Sequence, residues 1–422
     1  MKRGATGTLV GLALVVSALF AFPAAAQVQR APGLKIGDGR LHPFLDIDGR
    51  FDSLVGYFNA NMPSPELILH FRPGLKFDLD TPSTFVAFNG SGEYLWYTGA
   101  LSPGSRGLSR FQANVGVDAK FNRDGAVEFN VGDSLIRSDR TQNAALGVGA
   151  ISLFNNVYLA APIHPGGRAL EIIPKVGWAV EFFEPLLTGL LPGCTAGNNQ
   201  CDPNTVNQSN YSNLNFGANA RWKFLPKTAL MVDVNADWRT YFAKTTPDKV
   251  VFRAQAGLAG LISPRIAVTL LAGYGGDFTN GSIHTFIGNA EFSYTVSEQS
   301  RIAVGYMRTV VPVPILGSMV DDRGYLRGGL ALFGGRLVLN AQVSADYFTF
   351  LAQPTAPTAP SPVRNDFLLS AGAGPTVIIT SWFDVSANYT FTFRTSVSAA
   401  TSGLASLNFP RHEAILRLTF HY

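Results

Sequence analysis

Hydrolytic chemistry at neutral pH needs an imidazole beside a hydroxyl or an acid, so the six histidines are the first residues to weigh. They are His42, His70, His164, His284, His412 and His421. None stands at a spacing from Ser, Asp or Glu that singles out a triad, and they read as rim or interior histidines. The stretch DIDGRFD, with Asp46 and Asp48, starts like a calcium loop but lacks the later ligands and the closing Glu. GLAGLISPR and RGGLALFGGR are glycine-rich, yet neither matches a phosphate-binding loop. Cys194 and Cys201, the only cysteines, share the loop-like stretch PGCTAGNNQCDPN with no His nearby. In a chain with an export leader such a pair predicts one disulfide. The expectation is therefore a protein that is not an enzyme, with no catalytic residue, no cofactor and no metal site.

What has to be positioned, then, is a surface rather than a catalytic group. RFQANVGVDAKF places Phe111, Ala113, Val115, Val117, Ala119 and Phe121 at every second position, with Asp118 and Lys120 in the other set. TALMVDVNADWRTY and WFDVSANYTFTFR alternate in the same way. A period of two puts each set on one face of a strand. These runs are about 10–16 residues long, whereas ordinary strands cluster near 5–6 and bilayer-crossing strands need about 9–11. Such segments fall near 41–51, 66–78, 83–97, 109–121, 125–137, 144–159, 169–183, 211–224, 227–243, 249–262, 265–276, 283–297, 300–310, 324–333, 336–349, 364–379, 382–394 and 411–422. They number about 18, an even count as bacterial single-chain barrels require.

The connections give a second signal. Junctions such as NRDG, LP, SP, SEQ, GG and TS alternate with long ones such as GALSPGSRGL, VPVPILGSMVDDR and the 27 residues from Glu184 to Asn210. Short turns at one rim and long loops at the other are the layout of transmembrane barrels. APIHPGGR, between the sixth and seventh strands, is longer than that rule expects. The fold expected is all-β, a transmembrane antiparallel up-and-down β-barrel of about 18 strands spanning 41–422. A backbone in lipid must satisfy every N–H and C=O internally, which a sheet achieves by closing on itself.

Export is indicated at the other end. MKR, an apolar run and AAA before Gln27 form a signal peptide over 1–26, with cleavage between Ala26 and Gln27. Residues 27–40 form a short periplasmic segment. Charged residues are 15% of the chain against about 25% in soluble domains, and aromatics are 12%. The net charge of +4 and the absence of a basic cluster argue against nucleic acid. Aromatics near strand ends suit headgroup girdles, with Tyr97, Trp238, Tyr241, Tyr389 and Phe393 as candidates.

The complementary phase gives the lumen-facing candidates Asp118, Lys120, Glu128, Asp233, Asp237, Arg239, Arg253, Glu291, Asp346, Asp384, Arg394, Glu413 and Arg417. Both signs occur among amides and hydroxyls, which suits neutral polyhydroxylated solutes better than a strongly ion-selective pore. The chain ends in RHEAILRLTFHY, where Leu416, Leu418, Phe420 and Tyr422 occupy one face of the strand that must close the ring. That face is similar to the C-terminal signal read by the barrel-assembly machinery.

The chain also resembles a family of outer-membrane β-barrel porins of Gram-negative bacteria whose members are often linked to exopolysaccharide export. The resemblance rests on HPFLDIDGRFDSLVGYFN followed by ELILHFRPGLKFDLDT, with an apolar-R-P-G-L stretch from Leu69 to Leu75, and on the Pro226–Leu230 hairpin in FLPKTALMVDVNADWRTY. It departs from the pattern at Leu54 and Val55, where Asn is usual. The resemblance implies an outer-membrane channel for hydrophilic solutes, with saccharide or secreted polysaccharide favoured. It implies outer-membrane lipids around the barrel and, for export, separate periplasmic polysaccharide-export proteins. A non-conducting surface or adhesion barrel and an outer-membrane barrel hydrolase are the alternatives.

Overall fold

The computed structural model describes residues 32–55, 65–123, 125–139, 150–167, 169–185, 208–244, 247–279, 283–313, 317–351, 362–398 and 408–422. Nineteen strands run through them. β1 (Leu34–Ile36) is a short flap that pairs only with the start of β2 (Gly39–Asp52). From β2 onward each strand pairs antiparallel with its sequence neighbour, and β19 (Phe409–His421) returns to β2 from Glu413↔Asp52 to His421↔Phe44. The result is a closed ring of 18 strands, β2 to β19, as the alternation and loop asymmetry predict. Closure removes the sheet edge that an open meander would leave. Tyr422 N–H extends the seam by donating to Pro43 O at 3.1 Å.

The remaining strands are β3 (Glu66–Asp80), β4 (Thr84–Tyr97), β5 (Arg110–Phe121), β6 (Phe129–Ser138), β7 (Ala150–Ala160), β8 (Leu170–Pro185), β9 (Tyr211–Leu225), β10 (Thr228–Tyr241), β11 (Lys249–Ser263), β12 (Ile266–Asp277), β13 (Ile283–Ser297), β14 (Ser300–Val313), β15 (Gly317–Leu332), β16 (Leu337–Leu351), β17 (Pro362–Thr380) and β18 (Phe383–Ser398). Two features let strands with large side chains curl into a ring. Gly74 sits under the Phe44 ring, where a Cβ would lie 2.3 Å from Phe44 Cζ. At Gly257 and Gly273 a Cβ would strike the neighbouring strand's carbonyl at 1.8 and 1.9 Å, so only glycine tolerates that bend.

The two faces differ as period-two patterning requires. Leu67, Leu69 and Phe71 on β3, Val115 and Val117 on β5, and Leu416 on β19 are exposed. Exposed Phe121, Phe129, Trp222, Trp382 and Tyr422 stand toward the short-turn rim, and Trp96, Phe111, Trp178, Trp238 and Phe278 toward the long-loop rim. Two of the expected girdle residues do not belong there. Tyr97 (1% exposed) and Tyr241 (4%) lie on the opposite face, because Trp96 and Trp238 hold the outward phase of those strands.

One connection differs from the sequence expectation, and two others carry structure of their own. VPVPILGSMVDDR is not a long loop, since β14 and β15 stay paired to Val313↔Gly317 and leave only residues 314–316 between them. The long turn APIHPGGR folds back on its rim, where Ile163 bridges Val127 and Ile172. GALSPGSRGL carries a 3-10 helix, Pro103–Leu108. Residues 1–31, which include the expected leader and its expected Ala26–Gln27 cleavage point, lie outside the described residues, as do Cys194 and Cys201 of the expected disulfide.

Candidate functional site: the inner wall of the barrel

Long-range contacts identify the inner face. Arg239 on β10 donates through Nη1 to Pro312 O on β14 at 3.1 Å, and Arg253 on β11 to Val310 O at 3.3 Å. β10 and β11 are not neighbours of β14, so both arginines reach across the interior. Register carries the same phase to every other strand.

Along β19, β2, β3, β4 and β5 this face is a belt of ion pairs. Arg417 grips Asp48 with two bonds of 2.8 Å, and Arg411 grips Asp52 at 2.9 and 2.6 Å while also reaching Glu413 at 3.0 Å. Arg72 holds Asp46 at 3.0 and 2.6 Å. His70 Nδ1 meets Glu93 Oε1 at 2.5 Å. Arg110 donates to the Tyr97 hydroxyl at 2.5 Å and to Asp139 at 3.2 Å, and Arg50 stands 3.8 Å from Asp139. Bidentate Arg–carboxylate geometry fixes these side chains more firmly than single contacts would. Asp48, His70 and Glu93 offer ligand atoms within 4.8 Å of one another. That donor set fits a cation poorly, because Asp48 is held by Arg417, and Arg72 stands 4.0 Å away.

The expected lumen residues distribute around the wall and do not converge on one point. Asp118 accepts from Tyr158 at 2.5 Å, and Lys120 lies over the Phe85 ring at 5.8 Å. Asp233 accepts from Asn219 at 3.4 Å and from Asn235. Asp237 accepts from Asn213 at 3.2 Å, Asn215 at 2.8 Å and Arg253. Arg239 stacks on Tyr211 at 3.9 Å. Glu291 accepts from Tyr325 at 2.7 Å and Arg327 at 2.6 Å. Asp346 pairs with Arg323, Arg394 with Asp366, and Asp384 stands 3.7 Å from His421. Glu128 differs: it precedes β6 in the rim turn, where its N–H donates to Pro162 O at 2.8 Å and His164 stands 3.8 Å away. Leu416, Leu418, Phe420 and Tyr422 take the outer phase opposite Arg417.

Sequence reasoning passed over Asp46, Asp48, Arg50, Asp52, Arg72 and Arg110, which form the belt. The signal was present as period two: Asp46, Asp48, Arg50 and Asp52 alternate with Leu45, Ile47, Gly49 and Phe51.

The interior narrows at the long-loop end. β13 and β14 pair only from Ser297↔Ser300 to Gly288↔Arg308. Beyond that point β14 parts from β13, and the β14–β15 hairpin, still paired to β16 along β15, leans inward, so that its Val310 and Val320 form one buried cluster with Val251 on β11 and Ile287 on β13. Ser318 donates to Asp277, which also lies 3.6 Å from Lys249 Nζ. On the hairpin's other face, Val313 and Met319 pack with Phe348 and Phe350. Arg308 closes the seam left in the wall: Nε donates to Phe286 O on β13 at 3.1 Å, and Nη1 holds both Asp322 oxygens at 2.7 and 2.6 Å. An arginine in the outward phase is thus neutralised and bonded to the strand edge that lost its neighbour.

No family model matches this sequence, and no curated protein matches it. Among solved structures the chain is similar to OccAB3 of Acinetobacter baumannii, with 8% identity, 92% of this chain and 100% of that one covered, and a TM-score of 0.47. It is also similar to the outer membrane protein OpdK of Pseudomonas aeruginosa, with 12% identity, 90% and 99% covered, and a TM-score of 0.46. The ferric enterobactin receptor PfeA of the same organism gives 8% identity, 90% and 80% covered, and a TM-score of 0.48. All three likenesses are distant.

Proposed function

We propose that this protein is an outer-membrane channel that lets hydrophilic solutes pass through the barrel interior. The observation that carries the reading is the segregation of the two faces on a closed ring. The outer wall is exposed and apolar with aromatics toward both rims, while the inner wall carries the ion-pair belt, amides and hydroxyls. Such a ring can sit in a bilayer without an unpaired sheet edge, and barrels of roughly 16–18 strands enclose an aqueous passage. The inward β14–β15 hairpin is the selectivity element. Passage is passive, and no catalytic step is assigned.

Saccharides are the favoured solutes, because the inner wall mixes both signs of charge with amides such as Asn215, Asn219 and Asn235, each of which gives one N–H to Asp237 or Asp233 and keeps its carbonyl oxygen and second N–H for a polyol. Polysaccharide export fits less well, since a polymer would require the hairpin to swing out of the interior and separate periplasmic partners to feed it. Planar bilayers test the reading. Purified, folded barrel is expected to give discrete conductance steps, and a folded barrel that stays silent would remove the channel reading in favour of a surface protein.

A further inference from the structure

We infer that the short-turn half of the interior holds a binding site for a polyhydroxylated carboxylate, of the uronic acid class. The inference rests on the channel reading for its place in transport, but the site itself is defined by geometry. A cavity of about 600 Å³ opens on the inner wall between β14 and β18, lined by Arg301, Arg327, Asn340, Gln342 and Asn388.

Two glycines create it. The register runs Ala303↔Arg327, Arg327↔Gln342 and Gln342↔Gly372 in one row, and Arg301↔Gly329 and Gly329↔Asn340 in the next. Gly329 and Gly372 occupy inward positions where any side chain would fill the groove; a Cβ would lie 3.2 Å from Asn340 Oδ1 and 3.3 Å from Thr390 Oγ1 respectively. An arginine therefore faces an amide across an empty position.

Charge makes the site asymmetric. Arg301 and Arg327 share a single carboxylate: Nη2 of Arg327 reaches Glu291 Oε2 at 2.6 Å, and Nη2 of Arg301 reaches Glu291 Oε1 at 3.4 Å. Arg301 also donates to Ser293 Oγ at 2.8 Å. Their side chains remain 59% and 61% exposed, against 18% for Glu291. Two guanidiniums against one carboxylate leave one positive charge and several N–H donors turned to the cavity. Guanidinium pairs carboxylates in a planar fork, while Asn340, Gln342 and Asn388 present amides that pair with hydroxyls. At the belt, by contrast, Arg72, Arg411 and Arg417 each make two short bonds to a carboxylate and are only 23%, 12% and 34% exposed.

Calorimetric titration of the folded barrel in detergent with D-glucuronate and D-glucose tests the assignment. Glucuronate is expected to bind at least tenfold more tightly than glucose. R301Q/R327Q should lose at least tenfold in glucuronate affinity, and Glu291→Gln, which removes the competing carboxylate, should gain severalfold. Gly372→Leu, which fills the groove and leaves both arginines in place, should also abolish binding, so a folding defect of the arginine variant does not decide the matter. Equal affinity for the two sugars, or unchanged glucuronate binding in R301Q/R327Q, overturns the site. A barrel that binds glucuronate here yet passes no current removes the channel reading and leaves the site. One that conducts without binding glucuronate does the reverse.

Discussion

The inward hairpin makes the sharpest prediction. Val310 and Val320 are 0% and 4% exposed against Val251 and Ile287, although on a regular wall their phase would face outward. Burying a valine contributes about 1.5–3 kcal/mol. Replacing both by asparagine removes that contribution and strands two amides, each at about 1–3 kcal/mol. Even the low end of these figures weakens docking by about 5 kcal/mol, more than a thousandfold in the docked-to-free ratio at about 1.4 kcal/mol per tenfold. Across to β10, β11 and β12 the contacts that remain are Ser318 to Asp277 and the two arginine bonds to Pro312 O and Val310 O, while β15 stays tethered to β16 by its ladder and by Met319 against Phe350. The ring itself should survive, because β14 below Arg308 and the whole β15–β16 ladder are untouched. V310N/V320N is therefore expected to show larger and noisier single-channel conductance than the parent, with unchanged heat-modifiable mobility on gels. A variant that folds normally and conducts like the parent would show that the hairpin does not set the width of the passage.

Four further outcomes follow from the same geometry. Arg417→Ala breaks a bidentate pair to nearly buried Asp48 and should cost about 1–3 kcal/mol in urea unfolding from vesicles, discounted because Arg417 is 34% exposed. Arg137→Ala, whose partner Glu184 is 56% exposed, should cost under about 0.5 kcal/mol in the same assay. Gly74→Val drives a Cβ to 2.3 Å from the Phe44 ring and 2.7 Å from Gly90 O, and about 1–3 kcal/mol of overpacking should appear as a lower denaturation midpoint. Deleting Phe420–Tyr422 removes the Phe420↔Leu45 and His421↔Phe44 pairs and the Tyr422 bond to Pro43, and should slow appearance of the folded band in refolding time courses.

The ring was legible in the sequence because a closed barrel repeats one rule on every strand. Phe111 to Phe121 on β5 announces an outer face, and Asp118 and Lys120 announce an inner one, without reference to any other strand. What stayed hidden depends on contacts between strands that are not neighbours. Val310 and Val320 carry an ordinary outward phase, and only Val251 and Ile287, on β11 and β13, turn that phase inward. Arg308 looks misplaced until the seam beside Phe286 is seen, for its guanidinium stands where a strand's N–H would have been. Tyr97 and Tyr241 sat near strand ends like girdle aromatics, but the girdle belongs to the phase that Trp96 and Trp238 already hold. The belt residues were hidden for a different reason. Asp46, Asp48 and Arg50 form a short charged run that resembles a strand end, and only pairing with Arg72, His70 and Arg417 shows that the run continues the inner wall. Local period thus determines which way a side chain points, while the narrowing of the passage arises where one hairpin parts from the strand before it, an event that no single strand encodes.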